Sequence, residues 1–274
     1  MNATTRARCL RAAYARMVVA LLPMLLAVIL AWRGQSFAAL AVFTVAFATV
    51  TVGTIIPRCT LFGRMITTLP AGKRHALLTI DDGPHPEHTP AILDILDRHG
   101  LKAVFFLIGD RAAAHPALVR EIVARGHEIG NHTQTHPAYR FWSLHPVQLW
   151  REISACQQTL TSICPDHPPR FFRPPAGHHN MFVPVITRAL GLRTLMWSAR
   201  GFDGVKTDLE LITNRIRARL RSGAIVLIHE ATPVAVQVAE SVAAMIAEAE
   251  LASTEPLAHT FGGDEVVVEG RGAP

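Results

Sequence analysis

The sequence predicts an α/β fold: a closed or nearly closed (β/α) barrel of about seven parallel strands, preceded by an amino-terminal transmembrane helical hairpin. Three observations carry that prediction. Two long uncharged apolar runs occupy the front of the 274 residues. From about residue 75, short apolar runs alternate with longer amphipathic stretches, the rhythm that gives right-handed crossovers and a parallel sheet. The polar residues with chemical potential then fall at the ends of five strands, which places them on one rim.

The front of the chain comes first. Residues 17–32 ("MVVALLPMLLAVILAW") and 37–56 ("FAALAVFTVAFATVTVGTII") carry no charge. The second run is long enough as a helix to cross roughly 30 Å of hydrocarbon. The first is shorter and contains Pro23; it reads as a tilted span, with an uncleaved anchor or the core of a signal sequence as alternatives. Arg6, Arg8, Arg11 and Arg16 precede the first run, only Arg33 separates the two, and Arg58, Arg64, Lys73 and Arg74 follow. Basic flanks favour the cytoplasmic side, so two spans leave both the amino terminus and the main domain there. The localisation expected is a bacterial cytoplasmic membrane. The divisions are a basic segment over 1–16, two spans over 17–57, a linker over 58–74 and the main domain over 75–270, which the motifs below mark as catalytic.

Net charge is +6, but 8 of the 27 basic residues flank the apolar runs. With no basic-aromatic ribbon and no zinc-finger spacing, nucleic acid is set aside as a partner. Cys9, Cys59, Cys156 and Cys164 show no C-x-x-C spacing, and unpaired thiols are expected.

Strands are predicted at 75–80, 103–108, 127–132, 170–173, 192–197 and 224–229, with a weak last one at 264–269. Helices are predicted at 90–99, 116–125, 145–163, 181–190, 207–221 and 234–250, several after Pro, Asp or Asn start signals. No glycine-rich phosphate loop follows the first strand, which argues against an open nucleotide-binding sheet. Asp81 and Asp82 end the first strand, and His132 and His136 follow the third. Arg173 ends the fourth, Trp197 to Asp203 follow the fifth, and His229 ends the sixth. In a β/α barrel all of these lie at the carboxyl-terminal rim, where such barrels place their chemistry.

Adjacent carboxylates repel unless a cation sits beside them, and "GNHTQTHPAYR" (130–140) supplies two imidazoles four residues apart. On a helical turn that spacing puts both rings on one side. Two histidines and one carboxylate make a three-ligand set with positions left for water; one aspartate completes it and the other stands free beside the water. Each motif alone is weak. His178 and His179 read as a flexible rim loop, and His75, His85, His88, His115, His127 and His145 as surface or loop residues.

"TIDDGP", "HTQTHP", "RFFRPPAG", "MWSARGFDG" and "LIH" stand in the order and spacing of five motifs that resemble those of the polysaccharide deacetylases, the family-four carbohydrate esterases. The resemblance covers about residues 75–230 and implies a distorted (β/α) barrel and a hydrolase of carbon–nitrogen amide bonds, not peptide bonds. The expected reaction removes an N-acyl group, acetyl first, from an amino-sugar glycan or lipid-linked sugar by metal-activated water. It implies one divalent metal ion, with zinc expected and cobalt or nickel as alternatives. It further implies Asp81 as general base, Asp82, His132 and His136 as metal ligands, Arg173 as holder of the base and His229 as general acid. Trp197 and Leu227 would line the acyl-methyl pocket, and a backbone N–H near Tyr139 would face the oxyanion.

The match departs from the pattern in the fourth motif. An aspartate is usual where Arg200 stands, ahead of Asp203, and the tryptophan usual after that acid is Gly204. In the third motif Ala176 replaces a frequent tyrosine, which is expected to open the floor of the cleft. Arg200 is expected either to repel Arg173 or to bind an anionic part of the substrate, with Asp203 beside it. A lipid-linked or phosphate-bearing N-acyl sugar and the bilayer are therefore the expected partners. The alternatives are a deformylase of a lipid-linked amino sugar and a catalytically silent carbohydrate-binding membrane protein. A purely structural membrane protein explains the front of the chain but not the rim.

Overall fold

The computed structural model describes residues 3–57, 59–70 and 75–251. Seven parallel strands form one sheet in the order β5-β4-β3-β2-β1-β7-β6. They are β1 (Leu77–Gly83), β2 (Ala103–Leu107), β3 (Glu128–Asn131), β4 (Phe171–Phe172), β5 (Arg193–Thr194), β6 (Ala199–Arg200) and β7 (Ile225–His229). The sheet curls into a half-barrel. β5 and β6 are its edges, and the segment around Ile66 and Thr68 reaches both sides of the opening: Ile66 bridges to Leu195 and Thr68 to Ala224. Part of the stretch expected as a linker thus serves as wall. β6 replaces the expected strand at 264–269 in the count of seven; those residues lie outside the described part of the chain.

Strand alternation sorts the core into two layers. Leu78, Ile80, Phe105, Leu107, Val226 and Ile228 face the helices, while Leu77, Val104, Phe106, Ile225 and Leu227 fill the barrel interior with Trp197. All five residues of β2 are buried, which is why "AVFFL" shows no polar alternation. Each such side chain contributes about 1.5–3 kcal/mol by leaving water.

Around the sheet run α3 (His88–Arg98), α4 (Gly109–Ala114), α5 (Pro116–Ala124), α6 (Pro146–Ile163), α7 (Val183–Ala189), α8 (Leu209–Arg217) and α9 (Ala235–Glu248). Proline opens α5 and α6, where its missing N–H is no loss. Asp208 caps α8 by accepting from the Leu211 N–H at 2.9 Å.

The front is a helical pair, α1 (Ala3–Trp32) and α2 (Ser36–Ile55). Both are long and apolar enough to cross a membrane. α1 is one helix through both the basic segment and the first apolar run. Its basic part docks on the domain, with Cys9 buried in a cluster with Phe141, Trp150, Phe172 and Ile186. Arg16 secures that end by donating to the carbonyls of Phe62 and Met181 at 2.9 and 3.0 Å.

Candidate active site

The two aspartates belong to β1 itself rather than to the turn after it. In a regular strand, neighbours point to opposite faces, so adjacent carboxylates would be divided between core and helix layer. A bulge prevents this. The register with β2 slips between Asp81 and Gly83, and Asp82 takes a left-handed φ of 70°, which re-aims its side chain as bulges do.

Asp81 keeps the strand's inward phase, shared with Thr79 two residues earlier. Arg173, fully buried after β4, uses one guanidinium nitrogen for both: 2.7 Å to Asp81 Oδ1 and 2.8 Å to Thr79 Oγ1. Its remaining N–H groups donate to the Leu195 and Met196 carbonyls, each at 2.9 Å. Phe106 lies under its face at 4.2 Å. Burial pulls the Arg173 pKa down, opposed by the Asp81 charge. Thr79 and Phe106 escape a sequence reading because they look like ordinary strand residues.

His132 and His136 are brought together by a loop, not by a helical turn. Thr133 and His136 both take left-handed φ, 69° and 53°, and the ring centroids end 4.8 Å apart. The helical expectation fails because "HTQTHP" ends in proline, which the residue before it cannot enter in α conformation. His132 Nδ1 is 2.8 Å from the Arg173 carbonyl; Nδ1 therefore carries the proton and Nε2 is left as a lone-pair donor.

His132 Nε2 lies 3.4 Å and His136 Nε2 3.2 Å from Asp82 Oδ1. One ligand atom from each of the three residues falls within 4.8 Å of the others. Asp82 Oδ1 is buried without a hydrogen-bond partner, an arrangement that is costly unless a cation occupies the gap. Burial would raise the Asp82 carboxyl, but His132, His229 and His136 together hold it well below the usual carboxylate range. Burial and the neighbouring His132 push His136 down to about 4, so its ring is the neutral, ligating form. Two imidazoles and a carboxylate with these protonation states fit a divalent ion.

On the other side stands His229. Asp203, itself buried, accepts from its backbone N–H at 2.6 Å and from Nδ1 at 3.1 Å. Burial alone would lower the imidazole; Asp203, with the charges of Asp81 and Asp82, outweighs it and raises the pKa to about 9. Arg200 does not take over the role of the aspartate usual at its position. It lies over Phe202 at 3.9 Å and over Trp197 at 5.1 Å, while backbone carbonyls orient Arg173. Trp197 and Leu227 are buried in the barrel interior. Tyr139 is almost fully exposed.

Several residues depart from their expected places. His179 is fully buried, with neither ring nitrogen hydrogen-bonded, and its ring meets Phe62 edge-on. His127 is buried too, accepting from the Ala103 N–H, and His75 lies at the border of burial. Ala176 is exposed, with a left-handed φ of 54°. Arg111, unnoticed in the sequence, donates to the Asp82 carbonyl. Buried Glu230 accepts from Thr89 Oγ1 at 2.5 Å, and burial raises its carboxyl to about 8.

A half-barrel that carries a cation-ready donor cluster, a paired carboxylate and a carboxylate-backed imidazole at one rim has the side chains a metal-assisted hydrolase requires. The model of the family described as polysaccharide deacetylase matches residues 68–195. A chitooligosaccharide deacetylase of Bradyrhizobium sp. (strain ANU 289) is 37% identical over 163 residues, covering 60% of this chain and 74% of that one. A peptidoglycan-N-acetylglucosamine deacetylase of Bacillus cereus is 34% identical, covering 61% and 78%. The family 4 carbohydrate esterase of Streptomyces lividans, solved in complex with acetate, superposes with a TM-score of 0.59 at 31% identity, over 67% of this chain and 93% of that one. A CE4 family pseudoenzyme from Bacillus anthracis superposes with a TM-score of 0.62 at 26% identity, over 68% of this chain and 64% of its own. The chain belongs to the polysaccharide deacetylase family, the family-four carbohydrate esterases. It is accordingly a hydrolase of amide carbon–nitrogen bonds, in a family that uses a divalent metal.

Proposed function

We propose that this protein removes the N-acetyl group of a lipid-linked or phosphate-bearing amino sugar at a membrane surface. The observation that carries the reading is the convergence of Asp82, His132 and His136 on one buried point beside the Asp81–Arg173 pair. Asp82, His132 and His136 would hold a divalent ion, which would acidify water and polarise a carbonyl oxygen there; zinc suits the donor set, as do cobalt and nickel. Asp81, held in place by Arg173, accepts the proton of the attacking water. His229, protonated through its pair with Asp203, gives a proton to the departing amine nitrogen. The backbone N–H near Tyr139 assists the oxyanion, and Trp197 with Leu227 bounds the acyl methyl.

The amino-sugar substrate rests on relatives named for chitooligosaccharides and for peptidoglycan N-acetylglucosamine. Its anionic, membrane-bound character rests on a cavity of about 190 Å³ beside the rim. Ile56 and Pro57, at the exit of α2, line it with Trp197, Arg200, Phe202 and Arg219. The hairpin over 17–57 spans the cytoplasmic membrane in this reading. The arginines flanking it put the basic segment (1–16) and the catalytic domain (75–270, joined through 58–74) on the cytoplasmic side. A formyl group would fit the same chemistry.

The alternative, a silent carbohydrate-binding protein, draws on the pseudoenzyme relative. Metal analysis with acetate and formate release from an N-acyl amino-sugar panel decides between them. The expected outcome is about one equivalent of divalent metal and turnover in the wild type, with both lost in Asp82→Ala. A metal-free, inactive wild type supplied with zinc, cobalt and nickel would sink the enzymatic reading.

A further inference from the structure

A second cavity, of about 460 Å³, lies against α7, lined by the segment 63–66 and the start of β5. Four arginines line it: Arg16, Arg64, Arg188 and Arg193; no acidic side chain does. Among the described residues, the guanidinium groups of Arg64 and Arg188 form no hydrogen bond or ion pair, and both residues are exposed. Arg64 and Arg188, uncompensated cations beside Arg16 in one hollow, repel one another unless an anion joins them. Arginine forks match the oxygen pairs of phosphates and carboxylates.

The cavity does not stand alone. Arg16 also lines an apolar groove of about 960 Å³ between α1 and α2. Val19, Pro23, Val42, Val45 and Phe62 form its walls, and its only polar side chains besides Arg16 are those of Thr49, whose hydroxyl is spent on the Val45 carbonyl, and none charged. Arg16 is the last residue before the uncharged run 17–32. It therefore sits where hydrocarbon would give way to headgroups. An apolar groove that opens at one end beside an arginine-lined hollow has the chemical profile of an acyl chain leading to a phosphodiester.

We propose that the chain holds an anionic phospholipid, with its phosphate among Arg16, Arg64, Arg188 and Arg193 and an acyl chain along the α1–α2 groove. The site is separate from the Asp82–His132–His136 cluster, since none of its lining residues belongs to that rim. It rests on the hairpin being inserted in a bilayer. The lipid would fasten α7 and the β5 edge to the membrane face, fixing the tilt of the barrel above it.

The test uses the full chain in detergent micelles, with retained lipids counted by native mass spectrometry. Phosphatidylglycerol, zwitterionic phosphatidylcholine and inorganic phosphate are offered separately. One phosphatidylglycerol should be retained by the wild type, and retention should weaken about tenfold in Arg64→Ala/Arg188→Ala. The Arg64→Lys/Arg188→Lys protein, which keeps the charge but loses the fork, should fall between the wild type and the alanine variant. Circular dichroism and turnover of a soluble N-acetyl amino sugar report whether the variants are folded. Equal retention by wild type and alanine variant, equal retention of phosphatidylcholine, or full displacement by inorganic phosphate would each overturn the site. Alkaline extraction of membranes tests the hairpin by itself. A protein released by it overturns both hairpin and lipid site; a protein that stays, with lipid retention unaffected by the alanines, overturns the lipid site alone.

Discussion

Asp81 and His229 are register partners on the adjacent parallel strands β1 and β7. Register partners present their side chains to the same face, so the proposed proton acceptor and proton donor stand on one rung of the sheet. Each has its own counter-charge: Arg173 for the aspartate, Asp203 for the histidine. A carboxylate and an imidazole placed side by side, each with its own counter-charge, let one site run acid and base chemistry together.

Arg173 is the most consequential single side chain for stability. Its removal leaves Asp81 buried and unpaired, and breaking such a pair costs about 3–5 kcal/mol. Arg173→Ala should show that loss in urea denaturation of the full chain. Arg173→Lys should recover little, because an ammonium cannot reach Asp81, Leu195 and Met196 together. Full recovery by lysine would show that charge alone matters there.

Asp203 should govern the alkaline side of the pH–rate profile. His229 is protonated below its pKa of about 9, so the acid is available at neutral pH and lost as pH rises through that value. Asp203→Asn removes the charge that opposes burial. Its alkaline limb in kcat/KM should move down by at least one pH unit, toward the ordinary histidine range of about 6.5. A limb that stays in place would assign the acid elsewhere.

Glu230 should make the fold weaken with rising pH. Its carboxyl is ordinary, near 4.5, in the unfolded chain and about 8 in the fold. The fold therefore keeps a proton that the unfolded chain has released, and stability falls between those two values. Glu230→Gln should abolish that slope and be the more stable protein at pH 8, as measured by denaturant midpoints at pH 5 and pH 8. Parallel pH profiles for the two proteins would rule the buried carboxyl out as the source.

Arg200 should discriminate between substrates. Arg200→Ala should lower turnover of a phosphorylated glycolipid by about tenfold, the equivalent of one charge-assisted hydrogen bond, and leave a neutral chito-oligosaccharide unchanged. Equal losses on both would remove the anionic acceptor from the proposal.

What the sequence disclosed follows from how each element is stabilised. β1, β2 and β7 are apolar on both faces, so their runs are legible alone. β4, β5 and β6 are two residues each and exist through their neighbours; Ala199–Arg200 has no strand signal at all. The site was legible because carboxylates and imidazoles are rare at strand ends. The means of assembling it were not: the bulge at Asp82 and the left-handed Thr133 and His136 are backbone choices set by tertiary contacts. The continuity of α1 across Arg16 was hidden by the change from basic to apolar residues, which alters solvent preference but not helix propensity.

Ile66 and Thr68 give the segment after the hairpin a structural duty. The segment hydrogen-bonds across the open side of the half-barrel, with the Ile66 N–H on the Thr194 carbonyl and the Leu69 N–H, next to Thr68, on the Gly223 carbonyl, each at 2.9 Å. A protease that cut between residues 70 and 75 would therefore not free a finished soluble enzyme. It would leave a stave of the barrel behind with the helical pair, and the tether and the wall would be lost in one stroke.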